Sequence, residues 1–142
     1  MQKIPTIPAT PLCLSILAEV YTQAGQLEKA RTLLDQAWAV MEKMGLSVSE
    51  ADLCRLRGEL LWRQGKPATF IEPNFLRAVQ VAQGQQAKWL ELRAVMSLAR
   101  WWQSQGRNEE ARQQLARIYD WFTEGFDTVY LKAAKALLEE LS

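Results

Sequence analysis

Apolar positions along the chain recur at steps of three and four residues from Leu12 onward, the period of an amphipathic helix. In LCLSILAEVYTQAG the apolar or small residues Leu14, Leu17, Ala18 and Tyr21 share one face, and the run ends at Gly25. LEKARTLLDQAWAVMEKMG follows, with Ala30, Leu33, Leu34, Ala37, Val40, Met41 and Met44 on one side and Gly45 as its stop. Two antiparallel helices joined by a short turn are expected. The same arrangement recurs in SLARWWQSQGRNEEARQQL, where Gly106 interrupts residues that otherwise favour helix. Glycine inside a helix costs about 1 kcal/mol relative to alanine, so Gly106 is read as a turn between two helices.

Aligning the chain on these glycines exposes a repeat. Ala18, Tyr21, Gly25, Ala30, Leu34 and Ala37 correspond, with the same internal spacing, to Ala99, Trp102, Gly106, Ala111, Leu115 and Ile118. Gly58, Leu61 and Gly65 supply a middle copy, and Phe75 and Ala78 fit its second helix if one residue is inserted near residues 66–69. Ala18, Gly58 and Ala99 are small enough to let paired helices approach, while Tyr21, Leu61 and Trp102 fill the space beside them. Ala30 and Ala111 keep the gap narrow from the other side. In KPATFIEPNFLRA, Pro73 stands where a helix former is usual and Phe70 or Ile71 takes the place of the small residue, so that helix start is the least defined boundary. The prolines Pro5, Pro8 and Pro11 mark residues 1–11 as an irregular lead-in or linker. Helical units are expected over about 12–45, 49–84 and 86–123, followed by a capping helix over 128–141 that starts at Asp127 or Thr128 and turns Val129, Ala133, Ala136, Leu137 and Leu141 toward the third pair.

This spacing resembles the tetratricopeptide repeat, over residues from Pro11 to about Phe122, although the family's period of about 34 residues is exceeded. QQAKWLELRAVMSLARWWQSQG and WFTEGFDTVYLKAAKALLEEL further resemble the C-terminal repeat region of large bacterial regulators that join an ATPase module to a cyclase, kinase or DNA-binding output domain. The resemblance implies an all-α fold, a right-handed superhelix of three antiparallel helix pairs plus the capping helix. It also implies a concave groove built by the first helix of each pair. By the repeat register the groove presents Ser15, Glu19 and Gln23, then Arg55, Glu59, Trp62 and Arg63, then Arg93, Met96, Arg100 and Gln103. Such a basic mix suits an extended peptide with carboxylates and an apolar anchor, held by arginine clamps. Alternatively, Arg55, Glu59 and Arg63, four residues apart, satisfy one another as a solvated ladder. The asparagines with which some family members clamp a peptide C-terminus are missing from these positions.

Composition narrows the chemistry. Seventeen Lys and Arg against sixteen Asp and Glu leave no global field to draw in nucleic acid or an acidic membrane, and neither partner is expected. The sequence has no histidine, which removes Ser/His/Asp and Cys/His nucleophile systems, and its acidic residues are scattered; no catalytic residue, metal or cofactor is expected. Cys13 and Cys54 lie 41 residues apart without a CxxC, and both read as small hydrophobes of a cytoplasmic protein. The six tryptophans admit base stacking or sugar binding, but core filling is the expectation, with Trp62 the exception on the groove side. No GxxxxGK[ST] and no apolar run of about 20 residues is found, and the N-terminus lacks a signal-peptide pattern. The expected function is a non-catalytic interaction or regulatory module of a signalling or transcriptional regulator that binds a protein or peptide partner, including other domains of a larger polypeptide. A sensor binding a small anionic effector in the same groove is the alternative. The N-terminal end of the array needs cover, from the proline segment, a preceding domain or a second copy of the chain.

Overall fold

The structure is a computed structural model that describes residues 10–45 and 49–142, so the lead-in prolines Pro5 and Pro8 lie outside the described residues. It contains seven helices and no strand among those residues: α1 (Pro11–Gln23), α2 (Leu27–Met44), α3 (Glu50–Arg63), α4 (Ala68–Gly84), α5 (Lys88–Ser104), α6 (Asn108–Tyr119) and α7 (Val129–Leu141). The helices pack as α1 with α2, α3 with α4 and α5 with α6. Each pair stacks on the next through both of its helices: α3 meets α1 and α2, and α5 meets α3 and α4. α7 meets α5 and α6 in the same manner, so it occupies the position of a fourth first helix.

The turn glycines explain the repeat. Gly25, Gly65 and Gly106 adopt φ of +81°, +73° and +79°, which a side chain resists. In each turn the amide after the glycine donates to the carbonyl five residues back: Gln26 to Tyr21 at 2.9 Å, Lys66 to Leu61 at 3.0 Å, Arg107 to Trp102 at 2.8 Å. This is the helix-ending motif in which a left-handed residue lets otherwise unpaired carbonyls find partners. The α4–α5 joint uses the same bond, Ala87 to Ala82 at 2.9 Å, with Gln86 at φ +55° in place of glycine.

Packing follows the small residues. Ala18, Ala30, Ala37, Ala78, Ala99 and Ala111 are wholly buried between paired helices. At Gly58 an added methyl would stand 2.8 Å from Phe75 Cε1, so the α3–α4 pair closes only because that side chain is absent. Pro73 sits inside α4 and forfeits one backbone bond, while the Asn74 side-chain Nδ2 donates to the Phe70 carbonyl one turn back at 2.8 Å. Thr10 caps α1 by accepting from the Cys13 amide, and Thr128, one of the two candidate caps, does the same for α7 from Leu131.

Two faces differ from expectation. Leu17 and Met44 are exposed, because each lies at the margin of an apolar stripe whose centre the buried Leu14, Ala18 and Met41 occupy. In α7 the core face is Leu131, Ala134, Leu137 and Leu141, while Val129 is 77% exposed and Ala133 turns to the concave side. The helix is apolar around much of its circumference, and the stripe carrying the bulkiest side chains wins the core. The tryptophans divide similarly: Trp101 and Trp102 are buried, Trp38 and Trp62 are partly buried against the core, and Trp89 and Trp121 stand exposed. No described helix is long and apolar enough to cross a membrane.

Candidate functional site

α1, α3 and α5 lie side by side, and the polar residues they share on one face meet in a network of ion pairs. Arg55 is at its centre, buried, with Nη1 donating to Glu59 at 3.0 Å, Nη2 to Glu19 at 3.4 Å and Nε to Asp52 at 3.4 Å. Arg93 donates from Nη2 to Glu19 at 3.0 Å and from Nη1 to Asp52 at 3.3 Å. Glu19 and Asp52 therefore each accept from both arginines, which closes a four-residue ring over three helices. The Ser97 hydroxyl donates at 2.8 Å to Glu59 Oε2, the oxygen that also accepts from Arg55. Burial alone would lower the pKa of Arg55, but the surrounding charges of Asp52, Glu19 and Glu59 outweigh it and hold the pKa above the usual arginine value. Two guanidinium groups thus face three carboxylates, so the centre of the groove is not the basic surface that the residue types suggest.

α7 supplies the fourth wall. The Arg93 guanidinium stacks on the Tyr130 ring, 4.8 Å from its centroid. Glu19, Gln23, Arg55, Glu59, Arg93, Met96, Ser97 and Arg100 line a cleft of about 230 Å³ with Val129, Tyr130 and Ala133. A second cleft, of about 610 Å³, adjoins it through Arg100 and Ala133 and is lined by Trp62, Gln103, Ser104, Ala136, Leu137 and Glu140. Arg100 is exposed and, among the described residues, makes no ion pair or hydrogen bond. Gln103 Nε2 donates to Glu140 at 3.2 Å, joining α5 to α7.

Most of the residues placed in the groove by register are brought together. Glu19, Gln23, Arg55, Glu59, Arg93, Met96 and Arg100 share the first cleft, and Trp62, Arg100 and Gln103 share the second. Arg63 lines neither; it is exposed at the end of α3, one residue before its C-cap. The ladder of Arg55, Glu59 and Arg63 consequently reduces to the Arg55–Glu59 pair, and that pair is held inside the network rather than solvated. Ser15 is buried, with its hydroxyl donating to the Leu12 carbonyl at 2.8 Å, and Met96 is buried on the cleft floor. Trp62 packs edge-on against Phe75 and Trp101, at centroid distances of 6.4 and 5.2 Å.

Sequence reasoning missed Asp52, Ser97 and Tyr130. Asp52 lies three residues before Arg55, a spacing that brings helical side chains together, so its role was recoverable. Tyr130 was not, because α7 has no pair of its own to set its register. Neither cysteine joins the site: Cys13 is half-buried on α1, and Cys54 is buried in α3 with its thiol pushed up to about 11, first by burial and then by the charge of Glu50. No group of three or more metal-ligating side chains occurs among the described residues.

No curated protein is similar to the chain. Residues 12–44, which span α1 and α2 except for Pro11, match the family model described as tetratricopeptide repeat. The match covers the first helix pair of an array of three pairs and one further helix, and tetratricopeptide repeats generally mediate protein–protein interaction.

Proposed function

We propose that this protein is a non-catalytic interaction module that binds an extended segment of a partner protein along its concave face. The segment would lie between α5 and α7, with a carboxylate on Arg100 and an apolar side chain against Tyr130, Val129 and Trp62. The observation that carries this reading is the contrast among the groove arginines. Arg55 and Arg93 are engaged by Glu19, Asp52 and Glu59, whereas Arg100 stands exposed between two adjoining clefts with no partner among the described residues. An unpaired guanidinium beside an aromatic ring is the arrangement that clamps a carboxylate and an apolar neighbour together.

The resemblance to the repeat regions of bacterial regulators supports a place in a signalling or transcriptional protein, working in the cytoplasm. A reading frame upstream that encodes an ATPase or cyclase module would strengthen that placement. The second reading, a sensor for a small anionic effector, draws on the same Arg100 and on the size of the smaller cleft, about 230 Å³.

Selection of peptides from a random library on the immobilised protein tests the first reading. Enriched sequences should share an acidic residue next to an apolar one, and Arg100→Ala should weaken their binding and flatten its salt dependence. Enrichment that is indifferent to Arg100→Ala would overturn the proposed clamp. A thermal-shift screen of nucleotides and carboxylic acids tests the second reading, which requires stabilisation that Arg100→Ala removes.

A further inference from the structure

Two tryptophans stand outside both the core and the groove. Trp89, in the first turn of α5, and Trp121, just past α6, are 44% and 56% exposed. Both rest on the buried ring of Phe122, at centroid distances of 4.7 and 5.1 Å, so each indole is fixed from beneath while its outer face meets water. With Gln86 and Lys88 they line a cleft of about 470 Å³ that shares no lining residue with the two groove clefts.

Charge decides what fits there. Glu91 follows Lys88 by three residues on α5 and is 7% exposed, with Oε2 accepting from Gln83 Nε2 at 3.1 Å. Its other oxygen, Oε1, is buried and receives no hydrogen bond among the described residues. Lys88 supplies the counter-charge: Nζ stands 3.5 Å from Oε1, an ion pair without a hydrogen bond, and 5.5 Å from the centroid of the Trp121 ring. One ammonium thus serves a carboxylate and an aromatic face together, at the long limit of each contact. An anion in this cleft would meet Glu91, and a neutral ligand without a donor would leave Oε1 unsatisfied.

A lysine ammonium is compact and strongly hydrated, which is why a partly exposed Lys88 holds the place only loosely. Methylation keeps the positive charge, removes N–H groups that bind water and adds methyls that pack on indole faces. Two methyls leave one N–H, the number that the orphaned oxygen needs. We propose that this cleft binds a dimethylammonium group, which displaces the Lys88 ammonium, donates its one N–H to Glu91 Oε1 and packs its methyls against Trp89 and Trp121. A free methylated amine and a methylated lysine side chain both carry this group.

Titration calorimetry on the full chain tests the proposal. The probes are Nα-acetyl-lysine amide, its Nε,Nε-dimethyl form, dimethylammonium chloride, and an uncharged isostere with carbon in place of the side-chain nitrogen. The dimethyl-lysine probe should bind, and the unmethylated probe and the isostere should bind about fivefold more weakly or worse. Trp121→Ala should weaken binding by about two- to fivefold, and Glu91→Gln by at least about tenfold, with unchanged helical circular dichroism. Lys88→Ala should instead tighten it by about two- to fivefold, because the resident cation is gone. Equal affinity for dimethylammonium would assign the site to a free amine, and tighter binding of the amino-acid probe to a lysine side chain. No binding of either dimethylated probe overturns the proposal, as does an isostere that binds equally well or a Lys88→Ala chain that binds more weakly. If Glu91→Gln loses its fold, Trp121→Ala decides, since that side chain is exposed, and binding unchanged by it overturns the proposal.

Discussion

A methyl group placed on Gly58 would lie 2.8 Å from Cε1 and 2.9 Å from Cδ1 of Phe75, a side chain with no exposed surface. The ring is enclosed and cannot turn away. Gly58→Leu should therefore lower stability by roughly 1–3 kcal/mol, read as a drop in the urea midpoint. Gly58→Ala combined with Phe75→Leu should recover part of what Gly58→Ala alone loses, because the smaller side chain vacates the contact. A midpoint unmoved by Gly58→Leu would mean that α3 and α4 do not meet as described.

The ion network makes a second prediction. Arg55→Met removes the one guanidinium shared by Glu19, Asp52 and Glu59. Breaking a buried pair from one side typically costs about 3–5 kcal/mol. Glu19 and Glu59 keep some access to water, so the loss should fall near the lower end, at about 3 kcal/mol. Glu59→Gln in the Arg55→Met background should restore part of it by removing an unpaired charge. Equilibrium denaturation decides: additive losses from the two substitutions would contradict the shared pairing.

Cys54 should be chemically silent in the native protein. Its thiol is pushed up to about 11 by burial and by the charge of Glu50, so little thiolate is present at neutral pH. In a Cys13→Ser variant, the remaining thiol should react with a disulfide reagent only at the rate of unfolding, and at once in denaturant. The linkage has a sign as well. A thiol whose pKa is raised on folding keeps its proton in the native state while the unfolded state loses it, so its contribution to stability declines as the pH rises above about 9. Prompt labelling of the native Cys13→Ser variant would refute the burial.

The first turn of α6 makes a prediction at the acid end. Hydrogen bonds from Arg112 and Gln113 hold the Glu109 carboxyl below its ordinary value, and a bidentate pair from Arg107 does the same for Glu110. Groups depressed on folding stabilise the native state above the ordinary carboxylate range and lose that contribution as the pH falls through the depressed values. Both carboxylates also face the positive end of the helix. A Glu109→Gln, Glu110→Gln variant should thus show a flatter decline of its urea midpoint on acidification than the wild type, with the difference shrinking in high salt. Parallel declines in the two proteins would show that these pairs do not form in solution.

How far the sequence carries the fold is visible at particular residues. Gly25, Gly65 and Gly106 announce the turns because a left-handed backbone is a local requirement, and Ala18, Gly58 and Ala99 announce close approach because size is a local property. The inward face of α7 was less legible, since Val129, Ala133 and Ala136 form a second apolar stripe that composition cannot rank below Leu131 and Ala134. In the candidate site the register placed Glu19, Arg55, Glu59 and Arg93 on one surface, but not which of them would neutralise which. That choice depends on side-chain reach between helices: Arg93 bonds to Glu19 across 74 residues of chain, and no spacing rule along one helix contains it.

The ring of Glu19, Arg93, Asp52 and Arg55 changes how the array should melt. In stacked repeats each unit touches only its neighbours, so the ends can fray while the middle persists. Here α1 is tied to α5 directly, over the top of α3. Loosening the first unit strands a charge belonging to the third, and loosening the third strands one belonging to the first. The three pairs are thereby bound to a common fate, and amides in α1 should exchange with solvent through the same opening event as those in α5 rather than through fraying of the end alone.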